Sequence, residues 1–177
     1  MSYLPPVTYH VLRQIIVVLC VAVGATLHYQ LGLGFGAIAC YAAALLLTLT
    51  HFAFGTVWQS YRALRRGKPA EAERLLAATR FPNLLLRSPR AYYHLTAGML
   101  DLQQKALADA RAHLETAHEL GLRDDTDRAL VALNLGHIAY VQQHPADARR
   151  WLERARAHPT RDLMLRDHIR NLERALG

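Results

Sequence analysis

The sequence predicts an all-α protein with two parts: an N-terminal two-helix transmembrane hairpin, then a short α-solenoid of helical repeats that ends in a capping helix. Residues 14–61 contain no Asp, Glu, Lys or Arg, although the 177-residue chain has 21 basic and 14 acidic residues. After that charge-free stretch, small and apolar residues recur every 38 positions. The first observation predicts the hairpin and the second predicts the solenoid.

One glycine-rich turn, at 31–36, interrupts the charge-free stretch. Two apolar segments around one short turn predict spans at about 10–29 and 34–58, within an N-terminal domain of residues 1–61. Pro5-Pro6 marks the start of the first helix. Cys20 and Cys40 fall one in each segment, where we expect them to act as small apolar residues and not as a disulfide. Eight small residues would let the two helices pack closely: Gly24, Ala25, Gly36, Ala37, Ala39, Ala42, Ala43 and Ala44.

The excess of positive charge lies directly after the second apolar segment. Residues 62–90 carry eight basic and two acidic side chains, whereas residues 91–177 carry twelve of each. This asymmetry predicts an inner (plasma) membrane protein with both termini in the cytoplasm. Four basic residues are expected to face the lipid head groups: Arg62, Arg65, Arg66 and Lys68. The same location, with no recognition motif, argues against nucleic-acid binding.

Chemistry-bearing motifs are few. His51 lies inside the second predicted span, and an ionisable side chain there is a candidate for function. A neutral imidazole hydrogen-bonded across the hairpin is favoured over an enzymatic or cofactor-carrying role. His113 and His118 are five residues apart and so lie on different helix faces, unlike zinc-binding pairs four apart. No nucleophile motif or phosphate-binding loop occurs, so we expect no enzyme activity, cofactor or metal.

The repeat is visible in three units within a predicted helical repeat domain of residues 56–177. Each unit reads as helix, tight turn, helix, with small residues where the two helices cross. Pro69 and Pro145 suit the first position of a second helix. The first repeat helix would continue the second span as one helix over about 34–66. The equivalent residues of the three units are Ser60, Gly98 and Gly136; Ala72, Ala110 and Ala148; Leu76, Leu114 and Leu152; and Thr79, Ala117 and Ala155.

These small and apolar positions resemble those of the tetratricopeptide repeat (TPR) family. The second and third units match it best, and the four residues beyond the usual 34 fall in the connections 81–88 and 120–126. Short bacterial membrane-anchored TPR proteins look similar throughout. The resemblance implies that the first helix of each unit lines a concave groove. Its residues here are Tyr61, Leu64, Tyr92, Leu95, Met99, Leu102, Leu133, Asn134, His137 and Tyr140.

Two functions remain open from the sequence. The first is a membrane-anchored TPR scaffold or adaptor that recruits a protein partner, as a peptide or amphipathic helix in the groove, at the cytoplasmic face. The alternative is a small accessory or assembly subunit of a larger membrane complex, bound through its transmembrane hairpin. No small-molecule substrate is expected with either.

The remaining helices are predicted from capping and helix-breaking residues. We expect helices over 88–104, 107–120 and 145–157, and another that begins at a cap formed by Asp124 or Asp125. Thr160 is expected to cap the last helix. One stripe of that helix is apolar and the opposite face is basic, as suits a solenoid cap facing water. The stripe comprises Leu165, Ile169, Leu172 and Leu176, and the basic face Arg166, Arg170 and Arg174.

Overall fold

A computed structural model describes residues 6–29, 34–54 and 56–177, with side chains described for 15–29, 35–46 and 56–177. The described chain is all-α, as predicted, and contains no strand in those ranges. It divides into two units, Met1–Ala53 and Phe54–Gly177. The helices are α1 (Pro6–Tyr29), α2 (Gly34–Phe54), α3 (Val57–Arg65), α4 (Pro69–Ala77), α5 (Arg87–Gln103), α6 (Leu107–Leu120), α7 (Asp125–Val141), α8 (Pro145–Ala157) and α9 (Leu163–Leu176), with a 3-10 turn at Pro82–Leu84.

The predicted transmembrane hairpin is wrong. Across the part of the chain that the structure describes, no helix is both long enough and apolar enough to cross a membrane. The spans at 10–29 and 34–58 are therefore not seen.

The predicted localisation falls with the hairpin. A two-span inner-membrane protein with both termini in the cytoplasm requires helices that the described residues do not provide. The expectation that Arg62, Arg65, Arg66 and Lys68 contact lipid head groups depended on those spans and loses its basis. The predicted role of His51 concerns a side chain outside the described ones.

The single helix predicted over 34–66 is replaced by two elements. Helix α2 ends at Phe54 and α3 begins at Val57. Thr56 precedes α3 with φ −92° and ψ 7°, and its backbone carbonyl accepts from the amide of Ser60 at 3.0 Å. Thr56 therefore occupies the N-cap position of a new helix.

In the N-terminal unit, α1 and α2 pack through small residues. Gly24, Ala37 and Ala44 are buried between them, as the sequence predicted. A Cβ added to Gly24 would lie 3.0 Å from Cε1 of Tyr41 and 3.2 Å from Cβ of Cys40, so a larger side chain would push the helices apart. Both cysteines are free thiols. The other predicted small residues do not all contribute, since Ala39, Ala42 and Ala43 are exposed.

The larger unit has a helical repeat-like build from three helix pairs, α3–α4, α5–α6 and α7–α8. The small positions predicted to sit at the helix crossings do so. The hydroxyl of Ser60 donates to the carbonyl of Ala72 at 2.9 Å. A Cβ on Gly98 would lie 3.2 Å from the carbonyl oxygen of Ala110, and a Cβ on Gly136 would lie 3.6 Å from that of Ala148. Each crossing therefore brings a small residue against the backbone of the second helix.

The turn inside each pair also repeats. Gly67, Lys105 and Gln143 occupy equivalent positions, and all three have φ in the left-handed region, at 72°, 62° and 59°. Each donates its amide to the carbonyl three residues earlier, at 2.9 to 3.1 Å. In each turn the next amide then bonds the carbonyl five residues back, a pattern that satisfies the last carbonyls of the first helix.

Helix α9 closes the larger unit, as predicted. Leu165, Ile169 and Leu172 are buried against residues of α7 and α8 such as Leu152. The three arginines of the opposite face are exposed. The helix is capped by Asp162, whose carboxylate accepts from the amides of Met164 and Leu165, so the prediction of Thr160 as the cap is wrong. Thr160 instead accepts from the amide of Asp162 at 3.2 Å.

Helix α7 begins as the sequence predicted. Asp124 is its N-cap, and its carboxylate accepts from the amide of Thr126 at 2.7 Å. This places Asp127 in the first turn of α7, buried beneath α3 and α5. A capping residue that fixes the start of α7 therefore also fixes where the buried Asp127 side chain points.

Candidate functional site

The first helices of the three pairs, α3, α5 and α7, carry the residues predicted to line a groove. Four of these residues are buried in the core: Tyr61, Tyr92, Leu95 and Leu133. Five are half-buried: Leu64, Met99, Leu102, Asn134 and His137. Tyr140 is exposed, at 43% of its full accessibility. The predicted groove residues are thus buried near the N-terminal halves of their helices and partly exposed near the C-terminal ends.

The closed part is held by a polar cluster that spans all three helices. The hydroxyls of Tyr61 and Tyr92 both donate to the carboxylate of Asp127, and the Tyr92 bond to Oδ2 is 2.9 Å long. Arg65 completes the cluster, with Nη1 3.3 Å from the Tyr61 hydroxyl and 3.8 Å from Oδ1 of Asp127. Each oxygen of a carboxylate that is only 3% exposed is therefore engaged.

Three aromatic rings pack against one another around the Asp127 carboxylate. The ring centroids of Trp58 and Tyr92 are 4.5 Å apart, and those of Tyr61 and Tyr92 are 5.0 Å apart in an edge-to-face arrangement. The Arg65 guanidinium lies 5.9 Å from the centroid of the Tyr61 ring. Three aromatic residues and one carboxylate thus tie α3, α5 and α7 together.

The same surroundings decide what chemistry the cluster can perform. Burial, and next the hydrogen bond to Asp127, raise the pKa of Tyr92 to about 12. The pKa of Tyr61 is raised for the same two reasons. The hydrogen bond to Tyr61 raises the pKa of Arg65. Both hydroxyls therefore stay protonated near neutral pH and remain donors to Asp127, so the cluster joins the three helices.

Sequence reasoning did not find Asp127 or Trp58. Asp127 lies next to Asp124 and Asp125, which the capping pattern favoured, and nothing in the sequence indicates a buried acid. Trp58 is the last residue of the stretch assigned to the second span, 34–58. The available signal was the presence of two tyrosines, Tyr61 and Tyr92, among the predicted groove residues, because a buried hydroxyl needs a partner.

The open part of the row forms a half-buried apolar surface. The side-chain amide of Asn134 donates to the carbonyl of Leu130 at 2.8 Å and lies 3.4 Å from Sδ of Met99. Burial, and next the charge of His168, lower the pKa of His137. We refer to Leu64, Met99, Leu102, Asn134, His137 and Tyr140 as the open row.

A second group of ionisable residues lies between α5 and α6. The Nδ1 atoms of His94 and His113 are 2.9 Å apart, and Nε2 of His113 is 3.9 Å from Oδ2 of Asp101. Burial, then His113 and Arg90, lower the pKa of His94 to about 4, so its ring is neutral at pH 7. In the described ranges no three or more His, Cys, Asp or Glu residues converge in a way that could hold a metal ion.

Comparison with known proteins adds no relative. No protein-family model matches the sequence, and no curated protein or solved structure shows significant similarity to the chain.

Proposed function

We propose that residues 56–177 are a protein-binding scaffold of the TPR type, and that the open row binds an apolar segment of a protein partner. The observation that carries this proposal is a difference in burial along α3, α5 and α7. Hydrogen bonds to Asp127 join the three helices at one end of the row, whereas Met99, His137 and Tyr140 are partly exposed at the other. A rigid row of first helices with an accessible apolar end suits an amphipathic helix or extended peptide.

The TPR type is proposed on two recurrences. The small residues Ser60, Gly98 and Gly136 all lie at close helix crossings, and the left-handed turn recurs 38 residues apart. A mode in which the groove grips a terminal carboxylate is not proposed, because the row contains Asn134 but no lysine.

Site-specific photo-crosslinking of the full chain in cells of its source tests the proposal. A photoreactive amino acid at position 140 lies in the open row. The same group at position 141 is a matched control, since Val141 is 61% exposed on another face of the same helix. We expect a crosslinked protein from position 140 that is absent from position 141. The crosslinked protein, once purified, should bind the wild-type chain and lose affinity for Tyr140→Glu while binding Val141→Glu normally. Equal crosslinking from both positions, or equal binding of both variants, contradicts the proposal.

A second candidate function places the interaction on the N-terminal helix pair. The described parts of α1 and α2 expose twelve large hydrophobic side chains, among them Phe35 at 94% and Leu46 at 63%. Exposed apolar surface on this scale marks an interaction site, which favours an accessory or assembly subunit held in a larger complex through these helices. Crosslinking from position 35, with none from position 140, would support this candidate over the first.

A further inference from the structure

A cleft of about 370 Å³ lies at the C-terminal end of the larger unit, between α8 and α9. Its rim is basic, with Arg156, His158, Arg166 and Arg170, and Glu173 is the one acid that lines it. Its remaining lining includes the apolar side chains of Ala155, Pro159 and Ile169. The cleft is separate from both the Asp127 cluster and the open row, and neither proposed function uses it.

Two of the arginines are held in place by contacts that use only part of each guanidinium. Nε of Arg166 donates to the carbonyl of Thr160 at 2.8 Å. Nη1 of Arg156 donates to Oε1 of Glu173 at 2.8 Å. A guanidinium has five N–H donors, so each keeps donors for another acceptor. Because Arg166 is already held by a backbone carbonyl, a ligand that binds it loses less conformational entropy in doing so.

We propose that this cleft binds a phosphate monoester of a small organic molecule. Arginine donors match the tetrahedral oxygens of a phosphoryl group, and two charges on the group suit a rim on which basic residues outnumber acids. The exposed apolar ring of Pro159 would contact the organic part. The volume falls within the range of small-molecule sites.

Glu173 gives the proposal a distinctive consequence. Its carboxylate occupies Arg156 in the empty cleft, so it competes with an incoming phosphoryl group for the same donors. Removing that charge should therefore strengthen binding, whereas a role for Glu173 in stability alone would leave affinity unchanged or reduced. Arg170 is the most direct test of the basic rim, because its ion pair with Asp167 is exposed on both sides and contributes little to folding.

The test is calorimetric titration of the full chain with phenyl phosphate and, separately, inorganic phosphate. We expect saturable binding of phenyl phosphate with a dissociation constant of about 1 mM or below, and weaker binding of inorganic phosphate. Arg170→Gln should weaken phenyl phosphate binding by about three- to fivefold. Glu173→Gln should strengthen it. Arg174→Gln is the matched control, since Arg174 lies on the same helix but outside the cleft and bonds Asn171.

The outcomes separate a built site from diffuse charge. No saturable binding overturns the proposal, and so does an equal loss in Arg170→Gln and Arg174→Gln. Equal affinity for phenyl phosphate and inorganic phosphate overturns the assignment to a monoester. A midpoint temperature of thermal unfolding equal to that of the wild type shows that the measured affinity of a variant is that of a folded protein. If Arg170→Gln does not fold, Glu173→Gln and Arg174→Gln still decide the result.

Discussion

The hydroxyl of Tyr92 donates a 2.9 Å hydrogen bond to Oδ2 of Asp127, which joins the first helix of the second pair to the first helix of the third. The other carboxylate oxygen accepts from Tyr61 on α3. A single buried carboxylate therefore contacts all three first helices. Since a charge out of water is costly unless its oxygens are satisfied, the two tyrosines and Arg65 are what make this position tolerable for an acid.

We predict that Asp127→Asn lowers the free energy of unfolding by about 2 kcal/mol, because an amide offers only one acceptor oxygen and leaves one tyrosine hydroxyl facing an NH₂ group. Denaturant unfolding of the full chain, monitored by helicity, measures the change. Asp167→Asn is the control, since Asp167 is exposed in its pair with Arg170 and should change stability by less than about 0.5 kcal/mol. Equal effects of the two substitutions would show that the buried carboxylate contributes no more than a surface one.

Substituting glycine in two of the left-handed turns should stabilise the protein. Lys105 and Gln143 adopt φ of 62° and 59°, a conformation that costs roughly 1 kcal/mol for a residue with a Cβ and almost nothing for glycine. Lys105→Gly and Gln143→Gly should each raise the free energy of unfolding by up to about 1 kcal/mol. Thermal unfolding measures the gain.

Two further substitutions check that reasoning. Gly67 already has glycine in the equivalent turn, so Gly67→Ala should lower stability by about 1 kcal/mol. Gln104 precedes the second turn with a right-handed φ of −83°, so Gln104→Gly should lower stability by about 0.5 to 1 kcal/mol. A gain in Gln104→Gly as large as that in Lys105→Gly would mean that turn flexibility, and not the left-handed conformation, decides the sign.

The sequence predicts this fold where the signal is local and periodic. Ser60, Gly98 and Gly136 are recognisable from their spacing alone, because a close helix crossing tolerates only small side chains. Capping by Asp124 is equally local. The left-handed turns at Lys105 and Gln143 were not foreseen, because only Gly67 has the residue type that indicates such a conformation. Their conformation is imposed by the helices on either side.

Features that depend on tertiary contact were less predictable. The pairing of Tyr92 with Asp127 joins residues 35 positions apart, and no pattern in the sequence indicates which acid a tyrosine will meet. The residues predicted to line a groove lie on α3, α5 and α7, but their burial depends on how closely these three helices approach. The spacing of His113 and His118 along one helix gives no indication of His94, which reaches His113 from the neighbouring helix.

The pair of His94 and His113 predicts a loss of stability in acid. The folded-state pKa of His94 is about 4, below its usual 6.5, owing to burial and then to His113 and Arg90. Between these values the unfolded chain binds more protons than the folded one, so stability is present above pH 6.5 and is lost as the pH falls towards 4. Burial raises the pKa of Asp101, which takes up a proton at low pH in the folded state and offsets part of the loss.

Because His94 is only half-buried, solvent screening reduces the expected loss to about 1 to 2 kcal/mol. Denaturant unfolding at pH 7 and at pH 4.5 measures it, and His94→Gln should show a smaller difference between the two. His144→Gln serves as the control, because His144 is exposed. If His94→Gln and the wild type lost the same stability in acid, the pH dependence would come from other groups.

The geometry of two helix crossings predicts that alanine is less well tolerated at Gly98 than at Gly136. A Cβ on Gly98 would lie 2.8 Å from Cγ of Leu114 and 3.2 Å from the carbonyl oxygen of Ala110, and neither atom can move without shifting α6. A Cβ on Gly136 would lie 3.0 Å from Cδ2 of Leu172, the end of a flexible side chain, with its next neighbour at 3.5 Å. Gly98→Ala should therefore lower the free energy of unfolding by about 1 to 3 kcal/mol, and Gly136→Ala by clearly less. Denaturant unfolding of both variants measures the difference. The reverse order would mean that α6 adjusts more easily than Leu172, and that the crossing of α5 and α6 does not limit the size of the residue at position 98.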